Sequence, residues 1–253
     1  MLTTILHGAP TAEPPLLIVH GLFGSARNWG VIARRLSDAR QVIAVDMRNH
    51  GDSPWTEAHG YEDLADDLAC VIRTNGGRAD VLGHSMGGKA AMQLTLTQPA
   101  LLRRLIVADI APVAYGHSQS HLVQALQSLP LAGLTTRGEA DAQLAEAIPD
   151  DGTRAFLLQS LDLKASPPRW KLNLSLLEEE MDRITGWPGT TGQFDGPTLF
   201  LAGANSDYIQ PEHREIIKTL FPNAKQAKIP GAGHWLHAEK PREFEAAIRA
   251  FLS

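Results

Sequence analysis

The chain has one cysteine, Cys70, in 253 residues. An internal disulfide is therefore impossible and a metal–thiolate cluster is excluded, which suits a reducing cytoplasm. No apolar run approaches the roughly 20 residues of a membrane-spanning helix. The opening segment MLTTILHGAP has neither a basic start nor a long apolar stretch, so no signal peptide is expected. Lysine and arginine are scattered and the net charge is −5. That argues against a nucleic acid or an anionic membrane as partner. Internal repeats and low-complexity tracts are also missing. What remains is an ordinary soluble composition, 43% hydrophobic and 20% charged, long enough to bury a large single core.

Several short apolar runs read as fully buried strands: LLIVH (16–20), QVIAVDM (41–47), ADVLGHS (79–85), LIVADI (105–110), TLFLAGA (198–204) and the weaker AKQAKIP (224–230). Helical spacing separates most of them, as in Leu64, Leu68, Val71 and Ile72, or Phe244, Ala247, Ile248 and Phe251. Strand alternating with helix predicts an α/β fold whose mostly parallel sheet is covered on both faces. Functional residues in such sheets gather at the carboxyl ends of the strands. Between about Tyr115 and Pro188 the rhythm breaks into helical patches only, such as LVQALQSL and LSLLEEEMDRI. That stretch is too long for a loop and reads as a helical insertion between two strands.

Three glycine-bearing segments follow apolar runs. GHSMGG (83–88) joins ADVL to the helix-like KAAMQLTL. A strand–turn–helix of this kind, with glycines where the backbones crowd, lifts the Ser85 hydroxyl above the sheet and aims the Met86 N–H at the same space. The blander alternative is a serine capping an ordinary helix. GAGHWLHAEKP (231–241) carries His234 in a loop before the last helix. A serine hydroxyl is a poor nucleophile until a base takes its proton, and His234 is the candidate base; its neighbour His237, like His50, reads as structural. HGLFGS (20–25) forms a turn whose Leu22 N–H, with that of Met86, is placed to hold a developing oxyanion. Alone it would read as a simple glycine-rich turn.

Two aspartates compete to orient the histidine. Asp109 lies inside the apolar run LIVADIAPV (105–113), where a carboxylate loses its water and needs a partner. Asp207 lies in the polar loop GANSDYIQP (203–211), where a solvated carboxylate needs no explanation. The reading leans to Asp109 and leaves open that both face His234 or that Asp109 braces backbone. Apolar residues of the insertion, among them Leu122, Leu126, Leu129, Phe156, Leu157, Trp170 and Trp187, need covering. Most should pack onto the sheet and some should line an acyl site. Phe23, Trp170, Trp187 and Trp235 are the candidates for substrate binding. Arg169 and Lys171, which flank Trp170, are candidates to meet an anionic group such as a coenzyme A phosphate.

In order and spacing these segments, with DMRNHGDSP (46–54), resemble the α/β-hydrolase family over nearly the whole chain. DMRNHG, GHSMGGKA, DIAPV and GAGHWLHAEKP together resemble a narrower group, the YbfF-type esterases. The resemblance implies an α/β-hydrolase core (1–112 and 189–253) with a helical cap (about 113–188) inserted after the family's sixth strand, here LIVADI. It also implies a serine-dependent hydrolase of carboxylic esters or thioesters that needs no metal or organic cofactor and acts on a small-molecule acyl substrate. Carried over by position, Ser85 is the nucleophile, His234 the base, and Leu22 and Met86 the oxyanion donors. The broad family places its acid in the loop of Asp207; the narrower group matches at Asp109. Related chemistries on this scaffold, such as a perhydrolase, a carbon–carbon bond hydrolase or a menaquinone-pathway lyase, stay open, as does a non-catalytic binding module. Natural substrate, acyl length and oligomeric state are not readable.

Overall fold

The computed structural model describes residues 1–253. Seven strands form one sheet: β1 (Thr4–His7), β2 (Leu16–Val19), β3 (Val42–Val45), β4 (Ala79–His84), β5 (Leu102–Ala108), β6 (Thr198–Gly203) and β7 (Ala224–Ile229). Their spatial order is β1-β3-β2-β4-β5-β6-β7. All neighbours are parallel except β1, which pairs antiparallel with β3. LLIV, VIAV, ADVLGH and TLFLAG are buried at every position, as expected of parallel strands covered on both faces. The sequence reading found every strand but β1. That edge strand has four residues and none is buried, so it carries no apolar run to detect. The other edge, β7, exposes Lys225, Gln226, Ala227 and Lys228; charges there discourage pairing with another chain.

The chain reverses direction across the sheet between β2 and β4. β2 pairs with β3 on one side and β4 on the other, so the loops leaving β2 and β4 meet above the strand ends. Open α/β sheets place their binding crevice at such a switch point. Helices α1 (Gly30–Leu36), α2 (Tyr61–Thr74) and α3 (Met86–Thr97) connect the early strands.

The insertion contains α4 (Ser120–Ser128), α5 (Arg137–Leu144), α6 (Asp151–Leu157), α7 (Leu174–Glu179) and α8 (Met181–Thr185). It also has a minimal ribbon pairing Leu161–Asp162 with Arg169–Trp170, which two-residue strands could not announce in sequence. Leu122, Leu126 and Leu129 are buried and belong to the same apolar cluster as α2, α3 and the sheet, so the insertion shares a core with the rest of the chain. Helices α9 (Arg214–Leu220), α10 (Leu236–Glu239) and α11 (Pro241–Leu252) complete the fold. On the opposite face of the sheet α1 and α11 enclose a second cluster. Phe244, Ile248 and Leu252 of α11 turn into it, each burial stabilising by about 1.5–3 kcal/mol. No helix is long and apolar enough to cross a membrane.

Candidate active site

Ser85 follows β4 with φ 53° and ψ −123°. Its N–H donates to the Ala108 carbonyl of β5 (3.0 Å), and its own carbonyl accepts from Gly88 (2.8 Å) and Lys89 (3.1 Å) to start α3. A Cβ at Gly83 would collide with the Gly87 carbonyl, and one at Gly87 with the carbonyls of Val19 and His20, so both positions exclude side chains. Ser85 stands at the N-cap position, yet its side chain makes no capping hydrogen bond. Instead the hydroxyl is 3.0 Å from His234 Nε2.

His234 is held on its other side by Asp109. Its Nδ1–H donates to Asp109 Oδ2 at 2.7 Å. Asp109 directly follows β5, next door to Ser85 through the His84–Ala108 pairing, and has φ 52°. It is fully buried, and both carboxylate oxygens are engaged: Oδ1 accepts from the Gly203 N–H at 2.9 Å, and Oδ2 also accepts from the Ser206 hydroxyl. Three donors thus converge on one dry carboxylate. Asp207 is exposed and accepts only from Gln210 Nε2, at 3.2 Å. The structure therefore brings Asp109, and not Asp207, to His234; the shared arrangement left open by the sequence is absent. The reason is reach. The loop after β6 turns Ser206 inward onto Asp109 and leaves its neighbour facing water.

Two further contacts were not anticipated. Ser206 braces Asp109, and the Tyr208 ring stacks on His234 at 3.9 Å between centroids and 19° between planes. Their only trace in the sequence is a serine and a tyrosine either side of the more conspicuous Asp207. Behind the triad of side chains, His84 Nε2–H donates to the His234 carbonyl at 2.8 Å. His237 stacks on Trp29 at 4.1 Å, the structural place expected of it. Burial drives the pKa of His84 well below its usual value and that of His237 down to about 3.

The turn after β2 completes the arrangement. Gly21 packs so close that a Cβ there would lie 3.0 Å from the Ser85 Cβ. Neither the Leu22 N–H nor the Met86 N–H donates to any group in the protein, so both remain available to a negatively charged oxygen. The Gly21 carbonyl is occupied, accepting from His20 Nδ1–H at 2.7 Å and from the Gly24 N–H at 3.0 Å.

Ser85 and His234 open into a mostly apolar cavity of about 450 Å³ between sheet and insertion, within the usual size range for small-molecule sites. Leu22, Phe23, Met86, Leu122, Phe156, Leu157 and Trp235 line it. Trp170 and Trp187 do not. Trp170 is buried in the insertion, where its indole N–H donates to the Leu126 carbonyl at 3.0 Å; Trp187 packs beside Tyr61. Arg169 and Lys171 also lie off the cavity, facing Asp162 (3.9 Å) and Asp52 (2.6 Å). The one lysine on the cavity wall, Lys89, is spoken for: its ammonium donates to the Thr185 carbonyl at 2.8 Å and to that of Gly186, and lies 4.7 Å from the Tyr115 ring centre. Burial draws its pKa down to about 7. No group of three His, Cys, Asp or Glu side chains is disposed to hold a metal ion.

A serine, a histidine and a buried aspartate in hydrogen-bonded series, above the carboxyl ends of a parallel sheet, define the class of serine hydrolases built on an α/β core. Residues 16–247 match the alpha/beta hydrolase family. The chain is 39% identical to the sn-1-specific diacylglycerol lipase ABHD11 of Mus musculus over 95% of its own length and 81% of that protein's. It is 38% identical to the esterase YbfF of Escherichia coli, over 94% of this chain and 93% of that one. A solved esterase from a marine microorganism superposes with a TM-score of 0.94, at 39% identity, over 99% of this chain and 98% of its own. The chain belongs to the alpha/beta hydrolase family. The serine-dependent ester hydrolase expected from the sequence agrees with the names of these relatives.

Proposed function

We propose that this protein hydrolyses carboxylic esters with apolar acyl groups through an acyl intermediate on Ser85. The observation that carries the reading is the continuous series Ser85 Oγ to His234 Nε2 (3.0 Å) and His234 Nδ1 to Asp109 Oδ2 (2.7 Å), facing two unengaged N–H groups. Ser85 Oγ attacks the acyl carbon and its proton passes to His234 Nε2. The carbonyl oxygen takes the negative charge and accepts from the Leu22 and Met86 N–H groups. As the tetrahedral species collapses, His234 returns the proton to the departing alkoxide, and the alcohol leaves. Water then attacks the acyl-serine with His234 again as base, releasing the acid and restoring Ser85. Asp109 keeps the Nδ1–H tautomer and stabilises the imidazolium. Oxyanion donors of this kind each contribute about 3–4 kcal/mol to lowering the barrier.

The helices of 113–188 serve as the cap, and their apolar residues form much of the acyl wall. Neutral substrates fit the wall best, because its single lysine already has its partners and Arg169 and Lys171 lie elsewhere. Thioesters would react by the same steps; a coenzyme A phosphate would find no free cationic cluster at Arg169 and Lys171. A lone, exposed and unpaired cysteine, Cys70, suits action in the cytoplasm.

The test pairs a fluorophosphonate probe with a graded series of p-nitrophenyl esters and matching acyl thioesters. The probe is expected to add to Ser85, and Ser85→Ala to reduce ester turnover by a factor of about 10⁶, with His234→Ala similar, since such residues act as a unit. Ser85→Ala retaining wild-type turnover would refute the acyl-serine route.

A further inference from the structure

The segment DMRNHGDSP (46–54) has no role in the mechanism above, yet it carries a buried histidine bonded to the oxyanion turn. His50 is fully buried. Its Nε2 accepts the Phe23 N–H at 3.2 Å, and its Nδ1–H donates to the Arg48 carbonyl at 2.9 Å. This pattern requires the neutral ring with its proton on Nδ1, and burial agrees, lowering its pKa to about 3. Phe23 has φ 64° and Asn49 φ 65°. With Ser85 and Asp109 they are the four non-glycine residues in the left-handed region, a conformation that persists only where surroundings enforce it.

Leu22 has a peptide on each side, and a planar trans peptide points its C=O and N–H in opposite directions. The Gly21–Leu22 peptide is gripped at its carbonyl by His20 Nδ1–H. The Leu22–Phe23 peptide is gripped at its N–H by His50 Nε2. His20 in turn accepts the Met47 N–H at 2.9 Å, and the two imidazoles lie 5.1 Å apart. On the far side, His59 Nε2–H faces Met86 Sδ at 3.4 Å while its Nδ1 accepts from Asn49 Nδ2 at 3.2 Å. The 46–54 segment thus reaches the Phe23 N–H, one residue beyond Leu22, directly through His50, and reaches Met86 through His59.

The same segment is tied to the insertion. Gly51 N–H donates to the Lys171 carbonyl at 2.8 Å, Asn173 N–H to the Asn49 carbonyl at 3.0 Å, and Asn173 Nδ2 to Asn49 Oδ1 at 3.1 Å. His50 and Leu172 form an isolated antiparallel bridge.

We propose that His50 is a positioning residue for the oxyanion turn: it fixes the Leu22–Phe23 peptide so that the Leu22 N–H faces Ser85, and the insertion, through the bonds of Asn173 and Lys171 to Asn49 and Gly51, holds His50 in place. A cap that shifts would therefore loosen the oxyanion turn as well as open the acyl wall. The proposal rests on the acyl-Ser85 reading.

His50→Leu removes the acceptor and His50→Gln offers an amide oxygen in its place. The readouts are kcat and KM for a short p-nitrophenyl ester, and the inhibition constant of an alkyl trifluoromethyl ketone, whose adduct on Ser85 presents an oxyanion. His50→Leu is expected to lower kcat about 10- to 100-fold, less than outright loss of a donor at about 10²–10³. KM should stay within about twofold and the inhibition constant should rise in step with the kcat loss, as for an interaction made only in the transition state. His50→Gln should recover most of both. Equal losses in the two variants, a change confined to KM, or an unmoved inhibition constant would overturn the proposal. If His50→Leu does not fold, Asn173→Ala takes its place: a fall in kcat matched by a weaker ketone supports the proposal, and an unmoved inhibition constant overturns it. Ser85→Ala separates the two readings. Retained activity there defeats the acyl-serine route itself, whereas an inactive Ser85→Ala beside unaffected His50 and Asn173 variants defeats only the role of His50.

Discussion

Two loops at the carboxyl edge of the sheet each carry an aspartate, and they differ in almost everything else. The loop leaving β5 holds Asp109 out of solvent, in a left-handed conformation, with donors from Gly203, Ser206 and His234. The loop leaving β6 exposes Asp207, which accepts from one glutamine. A buried anion must be matched by donors or it destabilises the fold, so Asp109 can exist only as part of a built network. Asp207 is free to be anywhere water is. The second loop nevertheless contributes to the first, because its Ser206 is one of the three donors.

The sharpest way to break this comparison is to exchange charge for amide on each side. Asp109→Asn should lower ester turnover by about 10⁴, since an amide favours the wrong imidazole tautomer. Asp207→Asn should leave turnover unchanged, with thermal melts verifying that both variants fold. A large loss in Asp207→Asn would reverse the assignment. Ser206→Ala sharpens the contrast within one loop. It removes a hydrogen bond to a charged group, worth about 1.5–3 kcal/mol, so kcat should drop by about 10- to 100-fold while KM holds; equal losses in Ser206→Ala and Asp207→Asn would mean that the loop matters only as a whole.

A third, smaller effect tests the dryness itself. Burial lowers the pKa of His20 to about 4 and those of His50 and His237 to about 3. The unfolded chain binds protons on these rings below about 6.5, the folded protein does not. Their contribution to stability is thus complete above pH 6.5 and is lost progressively as pH falls toward 4 and 3. Urea unfolding at pH 7.0 and 5.5 should show stability falling by at least about 1.4 kcal/mol per pH unit. A flat profile would mean that these imidazoles are not held neutral.

Much of the fold was legible because parallel strands buried on both faces leave uninterrupted apolar runs; LLIV and TLFLAG could be read directly. β1 could not, since none of its four residues is buried. The site was legible where backbone crowding dictates residue type. Gly83 and Gly87 frame Ser85 because no Cβ fits there. Aromatic side chains were not legible in the same way. Trp170 and Trp235 read alike as apolar material beside charged or glycine-rich neighbours, yet one is buried in the insertion on a Leu126 carbonyl and the other lines the cavity.

The sequence alone determined the alternation of strand and helix, the serine on its turn, the histidine before the last helix and the anomaly of a carboxylate within LIVADIAPV. Each of these is enforced by neighbours along the chain. The tertiary structure decided what depends on residues far apart in it: Asp109 as the partner of His234 across 125 positions, Ser206 as its brace, and His50 behind the turn of residue 23 across 27 positions. A hydrogen bond acts over about 3 Å, and the approach of two side chains that closely is set by how strands are ordered and loops packed, which local spacing does not encode.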